Sequence, residues 1–182
     1  MKKFLLMLAI CAVTYVNGQQ LGSGDEWKKI YRSVPAKIND LVHTKLDAKF
    51  DYSKSYLNGK VWITLKPHFN ATDSLQLDAK GMNIHKVALS KAGKTIALTY
   101  TYDSTFLNIK LDKTYQRDEK YTVYIDYTAM PDELRAKGSA AITDAKGLYF
   151  INPKGLDKNK PTQIWTQGET EANSVWIPTI DK

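Results

Sequence analysis

The sequence predicts an all-β fold: an open antiparallel sheet or sandwich with one face on a core. Three observations carry that reading. Six runs alternate apolar and polar residues at period two, the pattern of strands buried on one side. Gly, Asn and Asp punctuate the spaces between them. Helical spacing is confined to one short stretch near the N-terminus.

Residues 1–18 read as a signal peptide. "MKKFLLMLAICAVTYVNG" has two lysines, an apolar run from Phe4 to about Val16, and a small-residue cleavage pattern ending at Gly18. The run is too short to span a bilayer. The expected outcome is export to the periplasm or the extracellular space, with Gln19 as mature N-terminus and no stable membrane span. An uncleaved anchor and a lipoprotein built on Cys11 are the alternatives; Ile10 stands where a lipoprotein needs a small residue. Cleavage removes the only cysteine, so stability must come from a core and not from disulfides.

Residues 19–40 form a lead-in. "DEWKKIYR" has acids in front and Trp27, Ile30 and Tyr31 at helical spacing, which predicts a short N-terminal helix. Residues 41–182 form the β-rich domain. Thr44, Leu46, Ala48 and Phe50 alternate with Lys45, Asp47, Lys49 and Asp51. "VWITL", "LQLDA", "IALTYTY", "LNIKL" and "YTVYIDY" follow with the same period and are each expected to form one half-buried strand. Asn58-Gly59 has the composition of a two-residue hairpin turn. The two copies of "DAKG", Asp78–Gly81 and Asp144–Gly147, suit type I turns. "MPDELRAKGSAAITDAKG" and "NPKGLDKNKPT" read as excursions between strands.

Lysine plus arginine total 26 against 19 acids, a net charge of +7. The signs interleave along the chain with no basic stripe, which argues against a nucleic-acid partner. His43, His68 and His85 are far apart and there is no HExxH pair. A nucleophile elbow, a phosphate-binding glycine loop and an EF-hand ligand series are also missing from the sequence. The segment is therefore expected to be non-catalytic by itself and to lack a zinc site.

"WTQGETE" holds the most suggestive chemistry. In an extended strand Gln167, Glu169 and Glu171 would share one face, as a wet sheet surface or as a site for a cation. Two tryptophans and two isoleucines follow almost to the last residue. Such an apolar end is expected to continue into a further domain.

The alternating β sequence, then "GLYF" (Gly147–Phe150), then "WTQGETEANSVWIPTID" closely resembles the N-terminal domain of the aminopeptidase N family of zinc metallopeptidases, particularly exported bacterial members. The resemblance covers roughly Leu41 to Lys182. It implies a saddle-like antiparallel β domain, a following catalytic domain that carries the zinc ligands, and peptides with a free N-terminus as substrates. Gln167 and Glu169 match the family's Gln-x-Glu, which implies that Glu169 binds the substrate's α-ammonium with Gln167 in support. The middle position is often bulky in relatives, and Gly168 here implies a more open pocket wall. Pro178 and Asp181 match a Pro-x-x-Asp read as a structural brace. Glu171 receives no role. Trp165, Trp176 and Tyr149 are expected to pack in the sheet.

Two other functions fit the β pattern. A non-catalytic β-sandwich module for carbohydrate or a protein partner suits the tyrosine content, although many tyrosines fall at inward parity. A lipocalin-like barrel leaves the acidic "QGETE" unexplained. An HExxH in the sequence beyond Lys182 would separate the three.

Overall fold

The computed structural model describes residues 36–134 and 145–181. The leader, the lead-in helix expected at Asp25–Arg32 and Asp144 of the second "DAKG" lie outside the described residues. Lys37 onward forms one compact unit. It is all-β, and every strand pair is antiparallel.

Ten strands are present among the described residues: β1 Asn39–Asp51, β2 Tyr56–Pro67, β3 Thr72–Asp78, β4 Met82–Lys91, β5 Lys94–Ala97, β6 Tyr100–Tyr102, β7 Phe106–Tyr115, β8 Tyr121–Ala129, β9 Leu148–Ile151 and β10 Gln163–Thr166. They make a five-stranded sheet in the order β1-β2-β8-β4-β5, a three-stranded sheet β3-β7-β6 and the hairpin β9-β10. The alternating residues of β2 and β8 (Val61, Ile63, Val123, Ile125) share one apolar cluster with Leu75, Leu77, Leu107 and Ile109 of the smaller sheet. Period two thus buries one face of each sheet against the other.

Three expectations need correction, and β4 adds a strand that the alternation does not show. Asn58-Gly59 is not a turn but lies within β2, opposite Thr128 and Tyr127 of β8. The hairpin closes earlier, through Tyr52–Ser55, where Asp51 Oδ1 accepts from the backbone N–H groups of Ser53 and Lys54. Gly59 serves packing: a Cβ there would lie 2.6 Å from Cε1 and Oη of Tyr127. The Tyr127 ring needs that space, and its hydroxyl donates to Trp176 O at 2.9 Å.

"IALTYTY" is not one strand. Its first part, in β5, pairs with β4, and its second part is β6, paired with β7. Leu98 N donates to Val87 O while Lys110 N donates to Thr99 O, so the chain changes sheets between residues 98 and 99. Ile96, on the same parity as Leu98, is 48% exposed, and all four residues of β5 are exposed.

β4 shows no simple alternation because a bulge between Ile84 and Lys86 shifts its register. Met82 points inward before the bulge, Val87 and Leu89 after it, so parity reverses mid-strand. Finally, Asp78–Gly81 is not a self-closed turn. Gly81 N donates to Ser104 O and Lys80 N to Ser174 O, so the β3–β4 link is held by other segments.

Candidate functional site

The β9–β10 hairpin carries "WTQGETE". Its loop, residues 152–162, is ordered around Asn152, whose Nδ2 donates to the carbonyls of Asp157 and Lys160 while its own carbonyl accepts from Thr162 Oγ1. Phe150 anchors the hairpin edge-on against Phe50 and Tyr52 of β1 and the turn after it. On the other side Tyr149 stacks on its cross-strand partner Trp165, with ring centres 4.7 Å apart. Trp165 remains 46% exposed, so it packs on the outer face of the hairpin and not in the core. Trp176 does pack against the core.

β10 ends at Thr166. Gln167 N adds one more bond, to Gly147 O at 2.9 Å, and the chain then turns. Gln167, Glu169 and Glu171 therefore do not share a strand face, because the backbone leaves the extended conformation before Glu169. The turn closes with Ala172 N donating to Gly168 O, and the 3-10 helix Asn173–Val175 follows directly. The Glu169–Thr170 peptide is cis.

The acidic groups around this turn differ in what they touch. Glu171 faces Lys80: Nζ is 3.5 Å from its Oε2 and donates to its carbonyl oxygen at 3.0 Å. Asp181 Oδ2 accepts from Ser174 N at 2.9 Å, and Asp181 N donates to Asp78 Oδ2 at 3.0 Å. Asp78 itself is buried and pairs through its backbone with Thr179. These bonds fasten the end of the described chain to β3, which is the brace expected at Asp181. Glu169 is different. It is exposed, and among the described residues its carboxylate makes no hydrogen bond or ion pair. Gln167 Oε1 accepts from Glu169 N at 3.3 Å, which ties the two residues through the backbone.

The wall beside the turn is not open. A Cβ on Gly168 would lie 2.5 Å from both Nδ2 and Oδ1 of Asn173, so a carboxamide already fills that space. Asn173, Lys80 and Asp78 were not singled out from sequence. Asp78 belongs by pattern to the strand "LQLDA" and the turn "DAKG", and nothing in the spacing links it to residue 181.

Among the described residues, no group of three or more His, Cys, Asp or Glu is placed to hold a metal ion. His68 Nδ1 lies 2.9 Å from Asp40 and His85 Nε2 lies 2.9 Å from Thr128 Oγ1, so each engages a separate partner. The described residues do not fit a zinc ion. No helix among them is long and apolar enough to cross a membrane.

Comparison with known proteins agrees with this architecture. The family described as "Peptidase M1 N-terminal domain" matches residues 39–182. An M1 zinc metallopeptidase from Deinococcus radiodurans, solved with a Tyr-Ser-Ala substrate, superposes with a TM-score of 0.63 at 16% identity, covering 84% of this chain and 31% of that one. Leukotriene A4 hydrolase from Saccharomyces cerevisiae gives 0.58 at 20% identity, covering 89% of this chain and 25% of that one. Identities this low speak for the fold alone. No curated protein sequence matches this chain. The chain thus spans less than a third of the length of these solved structures.

Proposed function

The chain belongs to the M1 peptidase N-terminal domain family, matched over residues 39–182, and from that premise we propose that it is the N-terminal β domain of an exported, zinc-dependent aminopeptidase. Its task in this reading is to bind the α-ammonium of a peptide's free N-terminus through Glu169, with Gln167 beside it. The zinc ligands would belong to a separate catalytic domain, the partner against which this domain works. Export, to the periplasm or beyond, rests on the leader-like residues 1–18.

One observation carries the assignment. Of the carboxylates at the turn, Glu171 and Asp181 have protein partners, while Glu169 is exposed and uncommitted among the described residues. An exopeptidase must tell a terminal amine from internal amides, and charge is what distinguishes them. With a pKa of about 7.7–8.0 the amine is mostly ammonium at neutral pH. A carboxylate accepting from it makes a charge-assisted bond of roughly 1.5–3 kcal/mol. Gln167 adds a neutral acceptor without further negative charge.

The test is substitution in the full-length protein. Glu169→Ala is expected to lower kcat/KM on free-amine substrates at least tenfold, about 1.4 kcal/mol, with metal content unchanged. Glu169→Gln keeps the shape without the charge and is expected between wild type and alanine. Glu171→Ala should matter less, since its partner is Lys80. Wild-type kcat/KM in Glu169→Ala would refute the assignment.

A further inference from the structure

We propose that Asn173 is the positioning residue for the Gln167-Gly168-Glu169 turn, its carboxamide occupying the space that a side chain at position 168 would fill. The inference rests on the amine-binding reading of Glu169 and adds to it the element that sets where that carboxylate points.

The space beside Gly168 is taken by a neighbouring side chain. The φ of Gly168 is not in the left-handed region, unlike that of Gly81, Gly93, Gly147 and Gly155. A side chain at position 168 would have to displace the Asn173 carboxamide, whose Nδ2 and Oδ1 would each lie 2.5 Å from a Cβ and whose Cγ would lie 2.7 Å away. The two residues are reciprocal: one gives up its side chain and the other fills the vacated volume.

Asn173 is itself fixed from behind. Its carbonyl accepts from Trp176 N at 3.1 Å and Ile177 N at 3.0 Å. Its Nδ2 lies 3.5 Å from Asp181 Oδ1, and the same carboxylate receives Ser174 N. Asp181 N then reaches buried Asp78 at the end of β3. A continuous line of contacts therefore runs from the sandwich to the Cα of Gly168.

Glu169 needs such a line. Its carboxylate has no hydrogen bond among the described residues to orient it, so its position is set by its own backbone, one residue from Gly168. Holding that backbone before substrate arrives lowers the ordering cost of binding. A shift of the turn would weaken amine binding while leaving chemistry on a bound substrate largely intact.

The experiment compares Gly168→Ala, Asn173→Ala and the double variant in the full-length enzyme, with Glu169→Ala as reference. The readouts are KM and kcat on a free-amine aminoacyl substrate, with thermal midpoints alongside. Gly168→Ala forces the new methyl against the carboxamide and is expected to raise KM about tenfold with kcat within about twofold. Asn173→Ala removes the support and is expected to raise KM about threefold or more. In the double variant the methyl enters the emptied space, and KM should return to within about threefold of wild type. A purely structural role would move the thermal midpoints without this KM rescue. A double variant as impaired as the two losses combined would overturn the inference, provided Glu169→Ala is impaired. If Glu169→Ala is not impaired, the amine-binding reading fails first, and this inference with it. Should Gly168→Ala not fold, Asn173→Ala decides: a raised KM at constant kcat supports the role, and an unchanged KM overturns it.

Discussion

A side chain at position 59 would have to share space with the ring of Tyr127, one of the largest fully buried groups. Gly59→Ala is therefore expected to destabilise the domain by about 1–3 kcal/mol through overpacking, measured by urea denaturation. Asn58→Ala on the exposed face should change stability far less. A neutral Gly59→Ala would mean that the ring has another place to go. The pH response has its own residue. Asp40 accepts from His68 and from Lys37, and these hydrogen bonds lower its carboxyl below the ordinary value. A depressed carboxylate stabilises the fold above its unfolded pKa and ceases to do so as pH falls through the folded one. The gap in thermal midpoint between wild type and Asp40→Asn is expected to be full near neutrality and to close below about pH 4. A gap that persisted at lower pH would assign it to packing instead. At this scale the sequence displays composition but not neighbours. Asn-Gly has turn chemistry wherever it occurs, and only the approach of a distant tyrosine explains this copy. Gln167 and Glu169 stood out by residue type; Asn173 did not, because its role depends on a glycine five positions earlier.

Among elements, the β9–β10 hairpin connects fold to site. Its strands have four residues each, so their hold depends on side chains: Phe150 against Phe50 and Tyr52, and Tyr149 on Trp165. Trp165→Ala is expected to weaken the hairpin by about 0.5–1.5 kcal/mol, the usual worth of such a ring pair. Hydrogen exchange localises the effect. The Gln167 amide, bonded to Gly147 O, should exchange faster, while amides of β2 and β8 should not change. Equal acceleration everywhere would show that the hairpin does not open separately. The alternating runs in β2, β3, β7 and β8 are legible because the sandwich buries one face of each. β4 is not, since a bulge reverses its parity. Nor is the break between β5 and β6, because alternation reports which face is buried and not which sheet a residue joins. The turn after β10 is hidden for a related reason: residues at period two imply a strand only where the backbone stays extended.

For the whole molecule, two sheets close on one apolar cluster, and the end of the described chain is tied back to β3 beside the Glu169 turn. The sandwich and the exposed Glu169 carboxylate are thus joined by few residues, as the amine-binding proposal requires. The fold class was readable because alternation and turn residues are local. Pairing order was not, since it rests on contacts far apart in sequence. Recognition of a free amine's charge by Glu169 is read by a double-mutant cycle between protein and ligand. Inhibition constants are measured in the full-length enzyme for a peptide amide and its desamino analogue, against wild type and Glu169→Ala. The amine is expected to gain at least about tenfold in affinity only where Glu169 is present, a coupling of about 1.4 kcal/mol that weakens with salt. Equal gains from the amine in both proteins would contradict it, and the turn after β10 would be no more than a solvated surface.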